Sequence, residues 1–275
     1  MRRHGTLGSA SDLGIHDHGC WLYRDDAELR LAVVEHLTEG RRLGQRLLYA
    51  GDKPVEGLRA DLDALEGAGA LLRDGGLSVL PSAEFYRPGA PSHPEGRLAT
   101  YVEATERAVA DGYAGVRVAA EASTLVSEQG GRSAHTRWES LADRYMASRP
   151  LSTLCLYDRR RAPEHVLSDL ASVHPAAHAP EIPRPFRLYS DPDALVLEGE
   201  VDYFSIEALR RVLAATPRDE SGVVLDLSRL EFIDHHGLLA LADHARSFGD
   251  GSAGVTIRGA PFWVKRLCQL IDVEL

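Results

Sequence analysis

Three side chains on or beside predicted strands have the chemistry of a metal or redox site. His18 and Cys20 alternate at a spacing of two, so they share one face if the strand containing Cys20 extends back to His18. Cys155 lies on another predicted core strand and could approach them, giving ligands suited to zinc or a redox-sensitive thiol pair. The alternative is separately buried thiols that behave as small hydrophobic side chains. Because no Cys-x-x-Cys spacing accompanies them, we predict no metal and no cofactor, and the redox or metal sensor remains an alternative.

A second set of polar side chains comes at or just after the ends of predicted strands: Tyr23, Glu121, Tyr157 and Asp158. Ligand sites on parallel sheets lie off the carboxyl ends of the strands, so these four join the three residues above as candidates for sensing a small molecule. The simpler reading is that they cap helices and satisfy loop amides. No Ser/His/Asp or paired-acid arrangement has a recognisable spacing, so we predict no catalytic residue and no enzyme.

The segment Asp234-His235-His236-Gly237 lies where a predicted buried strand turns into a helix. Apolar residues follow it at the spacing of a one-faced helix: Leu238, Leu241, Ala242, Ala245 and Phe248. About thirty residues upstream stands a second strand end, Glu198-Gly199-Glu200-Val201-Asp202, which is also followed by an amphipathic helix. Exposed amides at a helix N-terminus favour added negative charge, such as that of a phosphate.

Strand and helix signals alternate regularly through the first part of the chain. Predicted strands lie at residues 20–23, 46–50, 77–80, 116–120 and 151–157. This alternation is typical of an α/β fold with a mainly parallel sheet that is covered on both faces.

Prolines mark a boundary and divide the chain into two α/β units. Pro175, Pro180, Pro183 and Pro185 fall within a short span, which predicts an extended linker. We therefore predict four segments: a flexible N-terminal arm at residues 1–15, a larger α/β unit at 16–173, a Pro-rich linker at 174–187 and a smaller α/β unit at 188–275.

Bulk composition excludes several classes of function. The net charge is -10, so a nucleic-acid partner is not expected. No apolar run is long enough to cross a membrane and no secretory signal is recognisable, so we expect a cytoplasmic protein. Three cysteines at wide spacing suit reduced thiols better than a disulfide framework.

The C-terminal unit resembles the STAS domain of bacterial anti-sigma-factor antagonists. The resemblance rests on the two strand-to-helix motifs and their separation. It implies that Asp234, His235, His236, Gly237, Glu200 and Asp202 form the partner-docking or switch region. In that family a hydroxyl residue just before the glycine is phosphorylated by the partner kinase, whereas this sequence has His236 there. The usual phosphorylation switch is therefore expected to be disabled, with Ser205 and Ser221 as alternative sites.

The N-terminal unit is similar to RecA-like ATPases of the circadian-clock type, and more specifically to their degenerate relative, the methanogen and methylotroph sensory (MEDS) domain. The matching stretches are residues 17–23, residues 112–118 running into Glu121, residues 155–158 and His174-Pro175. The resemblance places the phosphate loop after the first strand, where Arg24-Asp25-Asp26-Ala27-Glu28 supplies carboxylates instead of glycines and a lysine. ATP hydrolysis is therefore not expected, and a nucleotide-binding enzyme is the weaker alternative.

Together these observations predict a non-enzymatic regulator of signalling or transcription. A sensory unit responds to a small molecule or a partner, and a STAS-like unit docks on a protein. The resemblance implies an anti-sigma factor with a kinase fold, or another STAS protein, as that partner. A homo-oligomer is left open.

Overall fold

A seven-stranded parallel sheet forms the centre of the N-terminal unit in the computed structural model, which describes residues 2–82, 94–127, 129–217, 222–248 and 254–273. The strand order is β1-β7-β2-β6-β5-β3-β4. These strands are β1 Gly5–Thr6, β2 His18–Tyr23, β3 Arg46–Gly51, β4 Leu77–Pro81, β5 Val116–Glu121, β6 Leu151–Asp158 and β7 Ala176–His178. Every residue of β2, β5 and β6 is buried, as expected for central strands covered on both faces. All five predicted strands are present, and the α/β fold class is confirmed.

Helices cover this sheet. They are α1 Asp26–Arg42, α2 Val55–Ala60, α3 Ala68–Asp74, α4 Pro94–Ala110, α5 Ser123–Ser127, α6 Gln129–Met146 and α7 Glu164–Ser172. Helix α1 begins after Asp25, whose side chain accepts hydrogen bonds from the amides of Ala27 and Glu28. Its buried stripe packs on one face of the sheet, while α6 and α7 pack on the other face.

The C-terminal unit has a smaller mixed sheet. Its strands are β8 Phe186–Asp191, β9 Ala194–Val201, β10 Val223–Asp226, β11 Leu230–Ile233 and β12 Val255–Arg258, and its helices are α8 Ile206–Ala215, α9 His235–Arg246 and α10 Phe262–Leu270. Parallel strands follow the order β11-β9-β10-β12, and β8 pairs antiparallel with β9. Two α/β units are thus present, as predicted.

The first fifteen residues are not the flexible arm that we predicted. Strand β1 pairs with β7, and a short 3₁₀ helix follows at Ala10–Asp12. Leu7 and Leu13 are buried, and both reach the space beside Gly19, which has no side chain. Their burial holds a segment whose Gly, Ser and Asp content indicated mobility.

The predicted linker at residues 174–187 is also shorter in the structure. Residues Ala176–His178 form β7, which lies between β1 and β2, and β8 begins at Phe186. Residues 179–185 alone run between the two sheets. Pro175 fits because it precedes the strand and its carbonyl accepts a hydrogen bond from the Gly5 amide.

Candidate functional site

Helix α6 presents a buried polar stripe to the sheet. His135, Glu139 and Asp143 are spaced four residues apart, so they lie on one face of the helix. All three are at most 2% exposed, although such residues are rarely buried without partners. The flanking Trp138, Ala142 and Met146 pack into a separate apolar cluster. The polar stripe therefore needs partners from the sheet.

Those partners form a four-residue cluster of His18, Glu139, Cys155 and His174, all of them buried. Oε2 of Glu139 lies 3.1 Å from Nε2 of His18, 3.3 Å from Sγ of Cys155 and 3.5 Å from Nε2 of His174. Sγ of Cys155 lies 3.4 Å from Nε2 of His18. The four potential ligand atoms lie within 4.8 Å of one another, and no other group of this kind occurs in the described residues.

Each member of the four-residue cluster comes from a different element. His18 begins β2, Cys155 lies in the neighbouring strand β6, Glu139 comes from α6, and His174 follows α7. The cluster therefore joins two central strands to two helices.

Hydrogen bonds from neighbouring groups orient these side chains. Nδ1 of His18 lies 3.2 Å from Oδ1 of Asp143, and Nδ1 of His174 lies 2.7 Å from the Leu170 carbonyl oxygen. The Tyr157 hydroxyl donates to Oε1 of Glu139 at 2.7 Å, and Nε2 of His135 lies 2.9 Å from the same oxygen. His18 and His174 thus both direct their Nε2 atoms toward Oε2 of Glu139.

Charges inside the four-residue cluster are strongly coupled. Burial opposes ionisation of Glu139, but His135, His174 and His18 together hold its pKa well below the usual range. Burial and Glu139 raise the pKa of the Cys155 thiol. Burial also opposes protonation of His18, whereas its hydrogen bonds with Asp143 and Glu139 raise its pKa overall. The carboxylate is an anionic centre that attracts positive charge into a dry interior.

Asp143 links this region to the C-terminal unit. Its Oδ2 accepts a hydrogen bond from the Ser190 amide of β8 at 2.6 Å, while Oδ1 faces His18. Arg2 pairs with Asp143 and also donates to the Ser190 carbonyl. A second link joins Arg211 of α8 to both carboxylate oxygens of Asp169 in α7, at 2.6 and 3.0 Å. The two units are therefore tied by specific polar contacts.

The remaining sensing candidates form a separate network around Glu121. Its Oε1 accepts from the Tyr23 hydroxyl and from the Ser123 amide, both at 3.1 Å, and Oε2 accepts from the Asp52 amide at 3.2 Å. Burial and the nearby Asp52 carboxylate raise the pKa of Glu121 to about 7. Asp158 accepts hydrogen bonds from the backbone and side chain of Arg160. These contacts match the simpler reading, and ligand sensing there stays a prediction.

The structure thus separates the seven sensing candidates. On β2 and β6, His18, Cys20, Cys155 and Tyr157 alternate with residues of the opposite face, to which Tyr23 belongs. His18 and Cys155 are in the four-residue cluster and Tyr157 supports it, whereas Cys20 pairs in register with Cys155 but is not a member.

Sequence reasoning missed two members of the cluster, Glu139 and His174, and the supporting His135 and Asp143. A signal was present in the four-residue spacing of His135, Glu139 and Asp143, which places charge on a face of α6 that neighbouring apolar residues mark as packed.

The N-terminus of α1, where the resemblance places the phosphate loop, is occupied by carboxylates. The Asp25 carboxylate accepts from the Ala27 and Glu28 amides, and Lys53 pairs with Asp61 at 2.9 Å and Asp26 at 3.2 Å. That ATP is not hydrolysed stays a prediction.

The predicted switch segment lies on an accessible rim of the C-terminal unit. Asp234 caps α9 by accepting from the Gly237 amide at 2.9 Å. His235 is exposed and His236 half-buried, with their ring centroids 3.9 Å apart. The ring of His236 lies 5.7 Å from that of Tyr203.

Two strongly exposed aromatic rings extend this rim. Tyr203 is 66% and Phe204 91% exposed, and their ring centroids lie 5.7 Å apart. We call Tyr203, Phe204, His235 and His236 the aromatic edge. Large apolar side chains exposed together are typical of a protein-interaction surface.

Glu200 and Asp202 have different positions beside this edge. Glu200 is exposed, whereas Asp202 accepts hydrogen bonds from the amides of Phe204 and Ser205 and so shapes the turn before α8. The Ser205 hydroxyl is buried and bonded to Asp202, and Ser221 lies outside the described residues.

Comparison with known domain families agrees with both resemblances. The two matched families indicate a two-domain signalling protein, with a sensory domain followed by a protein-interaction domain. The MEthanogen/methylotroph, DcmR Sensory domain (MEDS) matches residues 17–175, which is more than half of the chain, and the chain belongs to this family. The domain described as Mlab, STAS domain matches residues 186–274. No curated protein matches the chain. Among the described residues, no helix has the length and apolar character needed to cross a membrane.

Proposed function

We propose that the chain is a non-enzymatic regulator whose MEDS domain senses a small molecule or a partner and reports the event to the STAS domain. The position of Asp143 is the observation that carries this proposal. One carboxylate contacts His18 in the sensory core and the Ser190 amide in the STAS sheet. A shift of α6 relative to β2 would therefore be transmitted directly to β8, because both contacts belong to the Asp143 side chain.

The STAS domain docks on a protein through the aromatic edge. Exposed Tyr and Phe side chains provide a large contact area at a low entropic cost, which suits the centre of an interface. By analogy with anti-sigma-factor antagonists, the partner is an anti-sigma factor of kinase fold or another STAS protein.

Phosphorylation does not gate this docking. His236 occupies the acceptor position and has no hydroxyl, and the Ser205 hydroxyl is buried against Asp202. The edge is therefore permanently competent for docking, and regulation comes from the sensory domain.

Two matched variants test the docking surface. The full chain, immobilised through its C-terminus, captures a partner from cells of the source organism. We expect Phe204→Ala to weaken this capture by about tenfold or more, since central aromatic contacts contribute about 2 kcal/mol or more. Phe262→Ala is the control, because Phe262 is 82% exposed in the same domain but lies on α10.

Equal capture by both variants would contradict the proposed edge. Phosphate on His236 or on a nearby serine in the captured complex would contradict the claim that phosphorylation does not gate docking. Catalytic turnover of ATP by the purified chain would favour the enzyme alternative instead.

A further inference from the structure

We infer that His18, Glu139, Cys155 and His174 bind one zinc ion in the core of the MEDS domain. The sequence alone led us to expect no metal, with a metal sensor on His18, Cys20 and Cys155 as an alternative. The structure keeps two of those three residues and adds a carboxylate and a second imidazole.

Buried lone pairs converge within the four-residue cluster, and there are too few N–H and O–H donors to satisfy them. The Leu170 carbonyl is an acceptor 2.7 Å from Nδ1 of His174, so Nδ1 carries the proton and Nε2 carries a lone pair. That Nε2 atom is fully buried, makes no hydrogen bond and faces Oε2 of Glu139 at 3.5 Å. An unpartnered buried nitrogen aimed at a carboxylate is costly, and a cation between them removes the cost.

His18 presents the same difficulty when its ring is neutral. Its two ring nitrogens face two carboxylates, with Nδ1 3.2 Å from Asp143 and Nε2 3.1 Å from Glu139. A neutral imidazole has a single N–H, so one nitrogen must face a carboxylate without a proton. With Nδ1–H donated to Asp143, Nε2 is free to bind a metal, which is the usual carboxylate–histidine–zinc arrangement.

Distances within the four-residue cluster are also close to those of a zinc site. Zinc bonds of about 2.0–2.1 Å to nitrogen and about 2.3 Å to sulfur give a tetrahedron with edges of about 3.3–3.6 Å. Four of the six separations, from 3.1 to 3.5 Å, lie within a few tenths of an ångström of those edges. The other two, from Nε2 of His174 to Nε2 of His18 and to Sγ of Cys155, are at most 4.8 Å, so the His174 ring has the furthest to move to accommodate the ion.

The donor set also fits zinc chemically. One thiolate, two imidazoles and one carboxylate form a closed four-ligand set of borderline softness, and all four groups are known zinc ligands. Binding displaces the Cys155 thiol proton to solvent, and the two anionic ligands then balance the charge of the ion.

Neighbouring groups hold the proposed ligands in position. Tyr157 and His135 both contact Oε1 of Glu139, which leaves Oε2 for the metal. Asp143 and the Leu170 carbonyl fix the two imidazoles. Both imidazoles and the carboxylate thus have an orienting partner, as ligands in protein metal sites usually do.

Elemental analysis of the zinc content of the full chain tests the inference. The protein is expressed without a tag, exposed to zinc and then dialysed. We expect one zinc per chain in the wild type and in Cys20→Ser, and loss of this zinc in Cys155→Ser. Cys20 and Cys155 are both buried, and they are register partners on adjacent strands, so the pair is closely matched. Cobalt bound in place of zinc should give a sulfur-to-cobalt charge-transfer absorption band. This band should also be present in Cys20→Ser.

A gentler variant keeps the test decisive if Cys155→Ser does not fold. Tyr157→Phe removes one hydroxyl that supports Glu139 and should weaken zinc affinity by about tenfold or more, without abolishing one-to-one binding. Folded wild-type protein that retains no zinc would overturn the inference and leave a metal-free hydrogen-bonded cluster. The inference does not depend on the proposed docking, since zinc content and partner capture are measured separately.

Discussion

Two buried glutamates show how surroundings determine the state of a side chain. Glu139 faces three histidines, so its pKa lies well below the usual range despite its burial. Glu121 is buried beside another carboxylate, Asp52, and burial together with that neighbour raises its pKa to about 7. The first carboxylate is suited to holding a cation, and the second is suited to holding a proton.

Replacement of Glu121 tests this difference through the pH dependence of stability. The folded chain holds the Glu121 proton up to about pH 7, whereas the unfolded chain releases it near 4.5. The folded state therefore binds more protons in this window, and the free energy of unfolding of the wild type falls as the pH rises through it. Glu121→Gln lacks this pH-dependent loss of stability. The free energy of unfolding of the variant, relative to that of the wild type, should therefore rise by up to about 3 kcal/mol between pH 4.5 and pH 8.

Urea unfolding at several pH values measures this difference. The titratable groups that interact with Glu121 are Asp52, Tyr23 and Tyr49, and none of their pKa shifts falls in the same window. The pKa of Asp52 is lowered from 3.8, and those of both tyrosines are raised from 10.0. A difference between variant and wild type that does not change with pH would show that Glu121 is ionised throughout.

At the residue scale the sequence points to two members of the four-residue cluster, although it predicts no metal. His18 is a candidate because it alternates with Cys20, and Cys155 because it lies on another predicted core strand. Glu139 and His174 are not candidates, because neither lies close to them in sequence and their proximity depends on how α6 and α7 pack on the sheet. Side-chain convergence across four elements is a tertiary property that spacing alone does not encode.

Among the elements, the long buried strands were predictable and the short ones were not. Strands β2, β5 and β6 have six to eight residues that are mainly apolar, so they can be recognised locally. Strand β1 has two residues and β7 has three, and their pairing with each other and with β2 holds them in place. Pro175 in addition suggested a linker where the chain in fact enters the sheet.

Helix α9 depends on a glycine at its first turn. A Cβ added at Gly237 would lie 2.5 Å from Cγ1 of Ile233 and 2.9 Å from Cγ1 of Val201. Both neighbours are buried β-branched side chains that cannot easily move aside. The helix therefore begins this close to the sheet only because no side chain is present at residue 237.

Gly237→Ala should consequently lower the free energy of unfolding by about 1–3 kcal/mol, as overpacking does. Gly69→Ala in α3 is the control, because the nearest atom to its added Cβ is the end of Arg73 at 3.6 Å. This second change should raise stability by about 0.5–1 kcal/mol, the usual effect of replacing a helical glycine by alanine. Chemical denaturation of both variants gives the comparison, and a stabilised Gly237→Ala would contradict the close packing of α9.

For the whole molecule, the two domains share contacts that a simple linker would not provide. Val173, just after α7, lies in the same apolar cluster as Phe186 and Leu188 of β8. Asp143 and Asp169 add polar contacts from α6 and α7 to β8 and α8. The neighbouring His174 is a zinc ligand in our account, so metal binding and domain contact involve the same region.

Hydrogen–deuterium exchange tests most directly whether zinc binding at the four-residue cluster is coupled to the STAS domain. Exchange is measured on the full chain with zinc removed and then restored. We predict that zinc slows exchange in β2, β6 and α6, and also in β8 around Ser190, because Asp143 joins His18 to that strand. Slower exchange confined to the MEDS domain would contradict the coupling while leaving the metal site intact.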